Sequence, residues 1–403
     1  MGRCSDEPRF VEVEVPINIA LIKYWGKRDE MWGTIPQRDN SNNPEISCGI
    51  WPASMLLNSR RRQDLILPVN SSLSLNVDAV VARTRVRISP NDSVVINNVV
   101  VDLDKSKRFR QCFDFARQLI RKRSNVEKPG EGTEYGFEVS STTNFPVGAG
   151  LASSAAGFAA IAVAIGKLFD LSATEVSTLA RMGSGSACRS VFGGLVEWCA
   201  GSDPSGADCV ARQVLPEKWW PELRAVIVVI DDGEKEVGSS KGMRNTVETS
   251  ELLKHRAKCI VPERIKRLSA AFEAHDFHEF ALITMADSNQ LHAICLDTFP
   301  PLKYMSDASW VVIRAVNEFN AGSRMRAAYT FDAGPNACIF VENNNVDELL
   351  THLSRYLKLP PEIHFNRESA GDCVPASITP STPFAVKNVI VSEVGGSPKI
   401  LSC

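Results

Sequence analysis

The chain has 403 residues, 44% of them hydrophobic and 23% charged, with a formal net charge of −2; that length exceeds what one hydrophobic core usually serves, so two domains are expected. The near-neutral balance excludes broad electrostatic attraction to nucleic acid or to an anionic membrane, so any anion site must be local. The 11 cysteines are odd in number and scattered without a Cys-x-x-Cys pair, which reads as a reduced, cytosolic protein and not as a disulfide framework or a zinc site.

The acidic start (Asp6, Glu7, Glu12, Glu14) suits neither a signal nor a transit peptide. Strict alternation predicts a strand over residues 10–15, interrupted by Pro16. Lys23-Tyr24-Trp25-Gly26-Lys27-Arg28-Asp29 then sets three cations and two aromatics around one glycine. Such a cluster holds phosphates by point charge and bidentate contact; the competing reading is a solvated turn with an aromatic staple. Residues 31–64 are rich in Asn, Ser, Pro and Arg and lack periodicity, which reads as a long loop or insert. Its Arg60-Arg61-Arg62 reads as a solvated charge run, with a phosphate patch as the competing reading. Strand-like alternation resumes over residues 65–81, and residues 82–103 read as two further strands joined at Ser89-Pro90-Asn91-Asp92. Residues 107–123 predict a basic amphipathic helix with Phe109, Cys112, Phe113, Ala116 and Leu119 inward. Another strand is expected over residues 135–142.

That strand leads into Asn144-Phe145-Pro146-Val147-Gly148-Ala149-Gly150-Leu151-Ala152-Ser153-Ser154-Ala155-Ala156-Gly157. Gly148 and Gly150 let the backbone approach a ligand closely, and Ser153 or Ser154 stands where a helix N-cap is wanted. A glycine turn feeding a helix N-terminus aims N–H groups and a positive dipole end at one point, an anion site. An ordinary loop before a core helix is the competing reading. No Lys-Ser or Lys-Thr follows the last glycine, so this is not a Walker A loop. The Ala-rich run behind it is too short to span a membrane. Residues 172–181 predict a helix with Ser172 as N-cap and Glu175 completing a capping box. Met182-Gly183-Ser184-Gly185-Ser186-Ala187-Cys188-Arg189-Ser190 is a second small-residue turn. Two such turns can bracket a polyphosphate and its metal; Ser184 and Ser186 offer hydroxyls for that, or serve turn chemistry alone. Gly193-Gly194 then opens a strand.

Trp219-Trp220-Pro221 marks a boundary. Residues 223–230 read as a strand buried on both faces. Helices are expected over 251–274, 277–293, 306–319 and 346–357, and strands over 327–331, 337–341 and 386–393. Asp332 ends a strand before a Gly-Pro turn; it is a candidate general base or metal ligand, against an Asx-turn cap. His275 and His278 lie in a charged stretch without metal-ligating partners and read as surface positions. Strands and helices mixed in two blocks favour an α+β class.

Four segments in this order resemble the mevalonate diphosphate decarboxylase family of the GHMP kinase superfamily: Pro16-Ile17-Asn18-Ile19-Ala20-Leu21-Ile22-Lys23-Tyr24-Trp25-Gly26-Lys27-Arg28-Asp29, Gly150-Leu151-Ala152-Ser153-Ser154-Ala155-Ala156-Gly157, Gly183-Ser184-Gly185-Ser186-Ala187-Cys188-Arg189-Ser190 and Tyr329-Thr330-Phe331-Asp332-Ala333-Gly334-Pro335-Asn336-Ala337. The resemblance covers nearly the whole chain from residue 10 except 31–64. It implies an α+β, two-domain GHMP kinase fold: a ribosomal protein S5-like N-terminal domain over 10–220, carrying an atypical insert at 31–64, and a ferredoxin-like C-terminal domain over 221–403. It implies ATP-dependent conversion of mevalonate 5-diphosphate to isopentenyl diphosphate, with ADP, phosphate and carbon dioxide released. It further implies magnesium and a homodimer; a cytoplasmic location is the default address.

By the same resemblance Asp332 deprotonates or orients the substrate 3-hydroxyl. Arg189 orients the substrate carboxylate and is also a partner for Asp332, Lys23 lies near the transferred phosphoryl group, and Asn18 sits beside them. Tyr24, Trp25, Lys27 and Arg108 line a diphosphate pocket, with Arg28 adding to its basic set. Ser154, Ser184 and Ser186 meet phosphates, magnesium or substrate, Ser154 being the metal candidate. Gly148, Gly150 and Ser153 join Ser154 and Ser184 around the nucleotide. Three alternatives stand beside this reading: action on mevalonate 5-phosphate, a 3-kinase that stops after phosphorylation, and a non-catalytic nucleotide-binding homologue blocked by the insert.

Overall fold

Alternation builds the first strand, but proline does not end it. In a computed structural model, which describes residues 9–28, 65–123, 135–145, 153–233, 235–322, 324–363 and 383–403, β1 runs unbroken over Phe10–Ile22. Pro16 has no N–H to give the ladder. The register slips there: Pro16 faces Val81 and Ile17 faces Val77, so β2 (Ser72–Ser89) carries extra residues at Asp78, Ala79 and Val80. The chain's C-terminal stretch holds this bulge, through Ala79 N–H to Ser392 Oγ at 2.8 Å and Gly396 N–H to Asp78 Oδ1 at 2.8 Å. β2 is one 18-residue strand, replacing the separate strands expected on either side of residue 81. Before it, the chain returns against the cationic turn, with Arg28 N–H to Leu67 O at 2.8 Å and Val69 N–H to Gly26 O at 3.0 Å. The insert at 31–64 and the Gly148–Gly150 turn lie outside the described residues.

After β3 (Ser93–Ile96) and β4 (Val99–Val100), helix α1 occupies Lys107–Arg123, the expected span. Phe109, Cys112, Phe113 and Ala116 are buried and Leu119 packs half-buried against the same core; each buried phenylalanine contributes roughly 1.5–3 kcal/mol. β5 (Gly136–Thr143) precedes α2 (Ser153–Phe169) and α3 (Ala173–Gly183). The capping box of α3 is made: Glu175 N–H reaches Ser172 Oγ at 3.3 Å, and Ser172 N–H reaches Glu175 Oε2 at 2.8 Å. The second small-residue turn is partly helical, as a one-turn α4 (Ala187–Ser190). β6 (Leu195–Trp198) and β7 (Ala211–Leu215) follow.

The second half begins with β8 (Leu223–Val229), buried except at Arg224. Helix α5 (Ser239–Thr249) was not expected. The helix expected at 251–274 is divided: α6 (Glu251–His255), a π-turn at Arg256–Ile260, and α7 (Val261–Glu273). Then come α8 (Phe277–Leu296), α9 (Asp307–Phe319), β9 (Ala327–Phe331), β10 (Ala337–Glu342) and α10 (Val346–Leu353). β11 (Leu357–Lys358) and β12 (Phe384–Ala385) form a small ladder before β13 (Asn388–Glu393) and β14 (Lys399–Ser402).

Two main sheets result. The first has the order β14-β1-β2-β5-β3-β4, with β6 on β2 and β7 on β6; the second has the order β13-β8-β10-β9. The last strand therefore crosses back to pair with the first. α8 packs on both β9 and β1, and one buried cluster joins Ile17, Leu21 and Leu75 of the first sheet to Val226, Ile339 and Phe331 of the second. Among the described residues no helix is long and apolar enough to cross a membrane.

Candidate active site

β1 ends at Ile22 and β9 at Phe331, so Lys23 and Asp332 leave their sheets at the seam that α8 spans. Lys23 Nζ lies 2.6 Å from Asp332 Oδ1, with the lysine side chain 2% exposed and the aspartate 26%. The Gly334 N–H binds the backbone carbonyl of Asp332 at 2.8 Å. The turn is thus closed by main chain, leaving the carboxylate to the lysine.

Arg189, 3% exposed, lies beside this pair on α4. Its Nε and Nη2 donate to Asn18 Oδ1 at 3.2 and 2.9 Å, its Nε also to Ser74 Oγ at 3.0 Å, and its Nη1 to Ser72 Oγ at 2.6 Å. Asn18 is pinned in turn, donating to Ser186 O at 3.0 Å and Ser190 Oγ at 2.8 Å. All these partners are neutral, and among the described residues no carboxylate reaches ion-pair contact with Arg189. The direct Arg189–Asp332 pairing is not made; Lys23 takes that place. Burial lowers the guanidinium's pKa, as expected of a cation drawn out of water, and its natural complement is an anion entering the cleft.

The cleft is a cavity of about 590 Å³. Among the described residues its walls carry six cations, Lys23, Lys27, Arg108, Arg189, Lys235 and Lys241, and one carboxylate, Asp332. A chain of net charge −2 thus concentrates positive charge at one place. Gly26, at φ +91°, makes the turn that brings Tyr24, Trp25 and Lys27 to one wall, and a Cβ there would lie 2.7 Å from Val247. Tyr24 packs edge-on against Trp198 at 4.8 Å. Trp25 gives its indole N–H to Thr246 Oγ1 at 2.9 Å, so it offers the cleft a ring surface and not a donor. Arg108 crosses from α1 to Ser240 Oγ on α5 at 2.5 Å. Arg28 turns away, donating to the carbonyls of Gly201 and Ala200 at 2.9 and 2.8 Å, and drops out of the basic set.

Ser154, in the first turn of α2, and Ser184, the C-cap of α3, set their hydroxyls 3.2 Å apart on the cavity wall. Ser186 also lines it. Ser153 opens α2, but its side chain, like Gly148 and Gly150, lies outside the described residues. Among the described residues no group of three or more His, Cys, Asp or Glu could hold a metal. A magnesium ion here would rest mainly on phosphate oxygens with a serine hydroxyl beside them, which is how Mg²⁺ commonly binds at nucleotides.

Sequence reasoning missed the other wall. Lys235, Ser239, Ser240 and Lys241 face the cavity at the start of α5. The N-cap is Gly238, which supplies no side-chain cap, so the first-turn N–H groups are left to a ligand or water. Lys235 donates to Ser239 Oγ at 3.2 Å; burial lowers its pKa and Asp332 partly offsets that. The readable signal was Gly238-Ser239-Ser240-Lys241. Ser72 and Ser74, fully buried beneath Arg189, were signalled by serines alternating with leucines in an otherwise apolar strand.

Residues 225–401 match a family model described as mevalonate 5-diphosphate decarboxylase C-terminal domain, and residues 55–211 one described as diphosphomevalonate decarboxylase-like N-terminal domain. A diphosphomevalonate decarboxylase of Rattus norvegicus is 38% identical, over 98% of this chain and 95% of its own. The solved mevalonate diphosphate decarboxylase from Trypanosoma brucei superposes with a TM-score of 0.79 at 35% identity, covering 98% of both chains. A solved protein named MDDEF, in complex with MVAPP, AMPPCP and magnesium, superposes with a TM-score of 0.70 at 28% identity, covering 98% of this chain and 100% of its own.

Proposed function

The chain belongs to the mevalonate 5-diphosphate decarboxylase family, and from that premise we propose how its cleft works. The enzyme is an ATP-dependent carboxy-lyase: mevalonate 5-diphosphate and ATP give isopentenyl diphosphate, ADP, phosphate and carbon dioxide. The observation that carries the reading is the ring of six cations around one Lys23–Asp332 pair. Such a ring suits a substrate that carries a carboxylate and a diphosphate and reacts beside a triphosphate.

Lys27, Arg108 and the N-terminus of α5 hold the substrate diphosphate. Arg189, kept rigid by Asn18, Ser72 and Ser74, binds the substrate carboxylate. Asp332 accepts the proton of the 3-hydroxyl. That oxygen's electron pair then bonds to the γ-phosphorus while ADP departs. Lys23 orients Asp332 and balances charge on the moving phosphoryl group. The C3–O bond then breaks with phosphate as leaving group, and the C1–C2 bond pair becomes the C2=C3 double bond as carbon dioxide leaves. Little of this requires covalent help from the protein; positioning and charge neutralisation dominate phosphoryl transfer. Ser154 and Ser184, together with Gly148 and Gly150, take the nucleotide phosphates. Magnesium, when bound there, neutralises phosphate charge, and Ser154 is the hydroxyl placed to reach it.

The same reading takes the chain as a cytoplasmic homodimer divided into 10–220 and 221–403. Two separate sheets support the division, with β14 returning to the first. Eight free cysteines among the described residues suit a reducing compartment. The 3-kinase, monophosphate and non-catalytic readings are not favoured. The insert at 31–64 leaves and rejoins the chain beside a paired stem at Gly26–Arg28 and Leu67–Val69, and lengthening a closed loop costs little entropy. The test compares the full chain with a variant lacking residues 31–63, following ADP and carbon dioxide from mevalonate diphosphate and Mg-ATP. One-to-one release from both is expected. ADP without carbon dioxide would make the enzyme a 3-kinase, and ATP binding with neither product would support the non-catalytic reading.

A further inference from the structure

Outside the cleft lining lies an ion cluster with a fully buried centre, Asp287 and Arg256. Asp287 on α8 and Arg256 at the π-turn both have side chains 0% exposed, and Arg264 on α7 is 18% exposed. Arg256 donates to Asp287 Oδ1 at 2.8 Å and Oδ2 at 2.7 Å, and Arg264 donates to Oδ1 at 2.8 Å. Both arginines also donate to Gln290 Oε1, at 2.6 and 2.9 Å. Burial raises the Asp287 pKa, but the guanidiniums and the Lys23 N–H outweigh it and hold the carboxyl below its ordinary range.

The cluster also grips the main chain of one residue, Lys23, on both sides of its Cα. Asp287 Oδ2 accepts the Lys23 N–H at 2.7 Å, and Arg256 Nη2 donates to the Lys23 carbonyl at 3.1 Å. The next residue on α8 grips the other strand: Ser288 Oγ accepts the Phe331 N–H at 2.9 Å, one residue before Asp332. Adjacent residues of one helix therefore hold the main chain of Lys23 and of Phe331, the residue that precedes Asp332 in the 2.6 Å pair, and none of Asp287, Ser288 and Arg256 lines the cavity.

The π-turn explains how two arginines converge. Residues eight apart on a regular α-helix point about 80° apart, while seven apart differ by only about 20°. One inserted residue at Arg256–Ile260 brings Arg256 and Arg264 to the smaller angle, and such inserted turns recur at functional sites. Net stability is a poor reason for the cluster, because buried ion pairs are often no better than apolar replacements.

We propose that Asp287, Arg256 and Ser288 are positioning residues that set the separation of Lys23 Nζ from Asp332 Oδ1. This rests on the catalytic reading above. The test uses Ser288→Ala, Ser288→Thr and Arg256→Lys in the full chain, with steady-state kinetics, Mg-ATP titration calorimetry and thermal unfolding. Loosening the pair should lower kcat about 10- to 100-fold, leave KM for both substrates and Mg-ATP affinity within about twofold, and be largely rescued by Ser288→Thr. Unchanged kcat in folded Ser288→Ala and Arg256→Lys, or a loss that follows the folded fraction, would overturn it. A crystal structure of Ser288→Ala decides independently of activity. A lengthened Nζ–Oδ1 separation supports the assignment, and one unchanged from 2.6 Å refutes it even if the wild-type chain released no carbon dioxide, a result that would count against the decarboxylase reading alone.

Discussion

Replacing Asp332 with Asn removes one charge and almost no volume, which makes it the sharpest probe of the cleft. The lost partner sits 2.6 Å from an ammonium whose side chain is 2% exposed. At an effective dielectric of 20 that contact is worth about 6 kcal/mol gross, and breaking a buried pair costs about 3–5 kcal/mol. Asp332 is 26% exposed, so water can screen part of the change, and about 2–3 kcal/mol of stability is the expected net loss. The kinetic loss is larger. Without a proton acceptor at the 3-hydroxyl, general-base assistance of roughly 10²–10⁴ disappears. A displaced Lys23 costs roughly another tenfold or more. Together kcat should fall about 10³- to 10⁵-fold, or about 4–7 kcal/mol on the barrier. Coupled ADP release and trapped carbon dioxide measure the rate, calorimetry measures Mg-ATP binding, and thermal unfolding reports the fold. A folded variant that binds Mg-ATP yet turns over within tenfold of wild type would falsify the role given to Asp332.

Two other substitutions separate binding from support. Arg189→Lys loses the forked contact with Asn18 Oδ1 at 3.2 and 2.9 Å; kcat/KM for mevalonate diphosphate should drop about 100-fold with Mg-ATP affinity kept, and an unchanged value would remove Arg189 from the carboxylate site. His292, buried on α8, has its pKa lowered to about 4 by burial and then by the Lys23 charge, and among the described residues its Nε2 has no hydrogen-bond partner. A depressed folded value means stability complete above the ordinary histidine value of 6.5 and lost as pH falls toward about 4. The gap is worth about 3 kcal/mol, so urea unfolding of His292→Gln should lose that much less than wild type between pH 7 and pH 4, and parallel pH curves for the two proteins would refute the assignment.

Much of the architecture was legible in the sequence. The span of α1, its inward residues and the capping box of α3 follow from period and local hydrogen bonding, which a short stretch of chain determines alone. The family was legible because four long motifs stand in order, each carrying several chemically constrained residues. The Pro16 expectation failed because a missing N–H opens a ladder without ending it when the partner strand can bulge and find other donors. The start of α5 was missed because its cation-and-serine cluster acquires meaning only when the cleft closes over it.

The sequence by itself determined which chemistry was available: the cationic turn, the serines, Arg189 and Asp332. Only tertiary structure decided how these groups are joined. Lys23 meets Asp332 across 309 positions of chain, and Arg189 meets Asn18 across 171. Periodicity reports each element's own face, but a pairing at that distance depends on how β1, β9 and α8 pack together, and no local pattern encodes it.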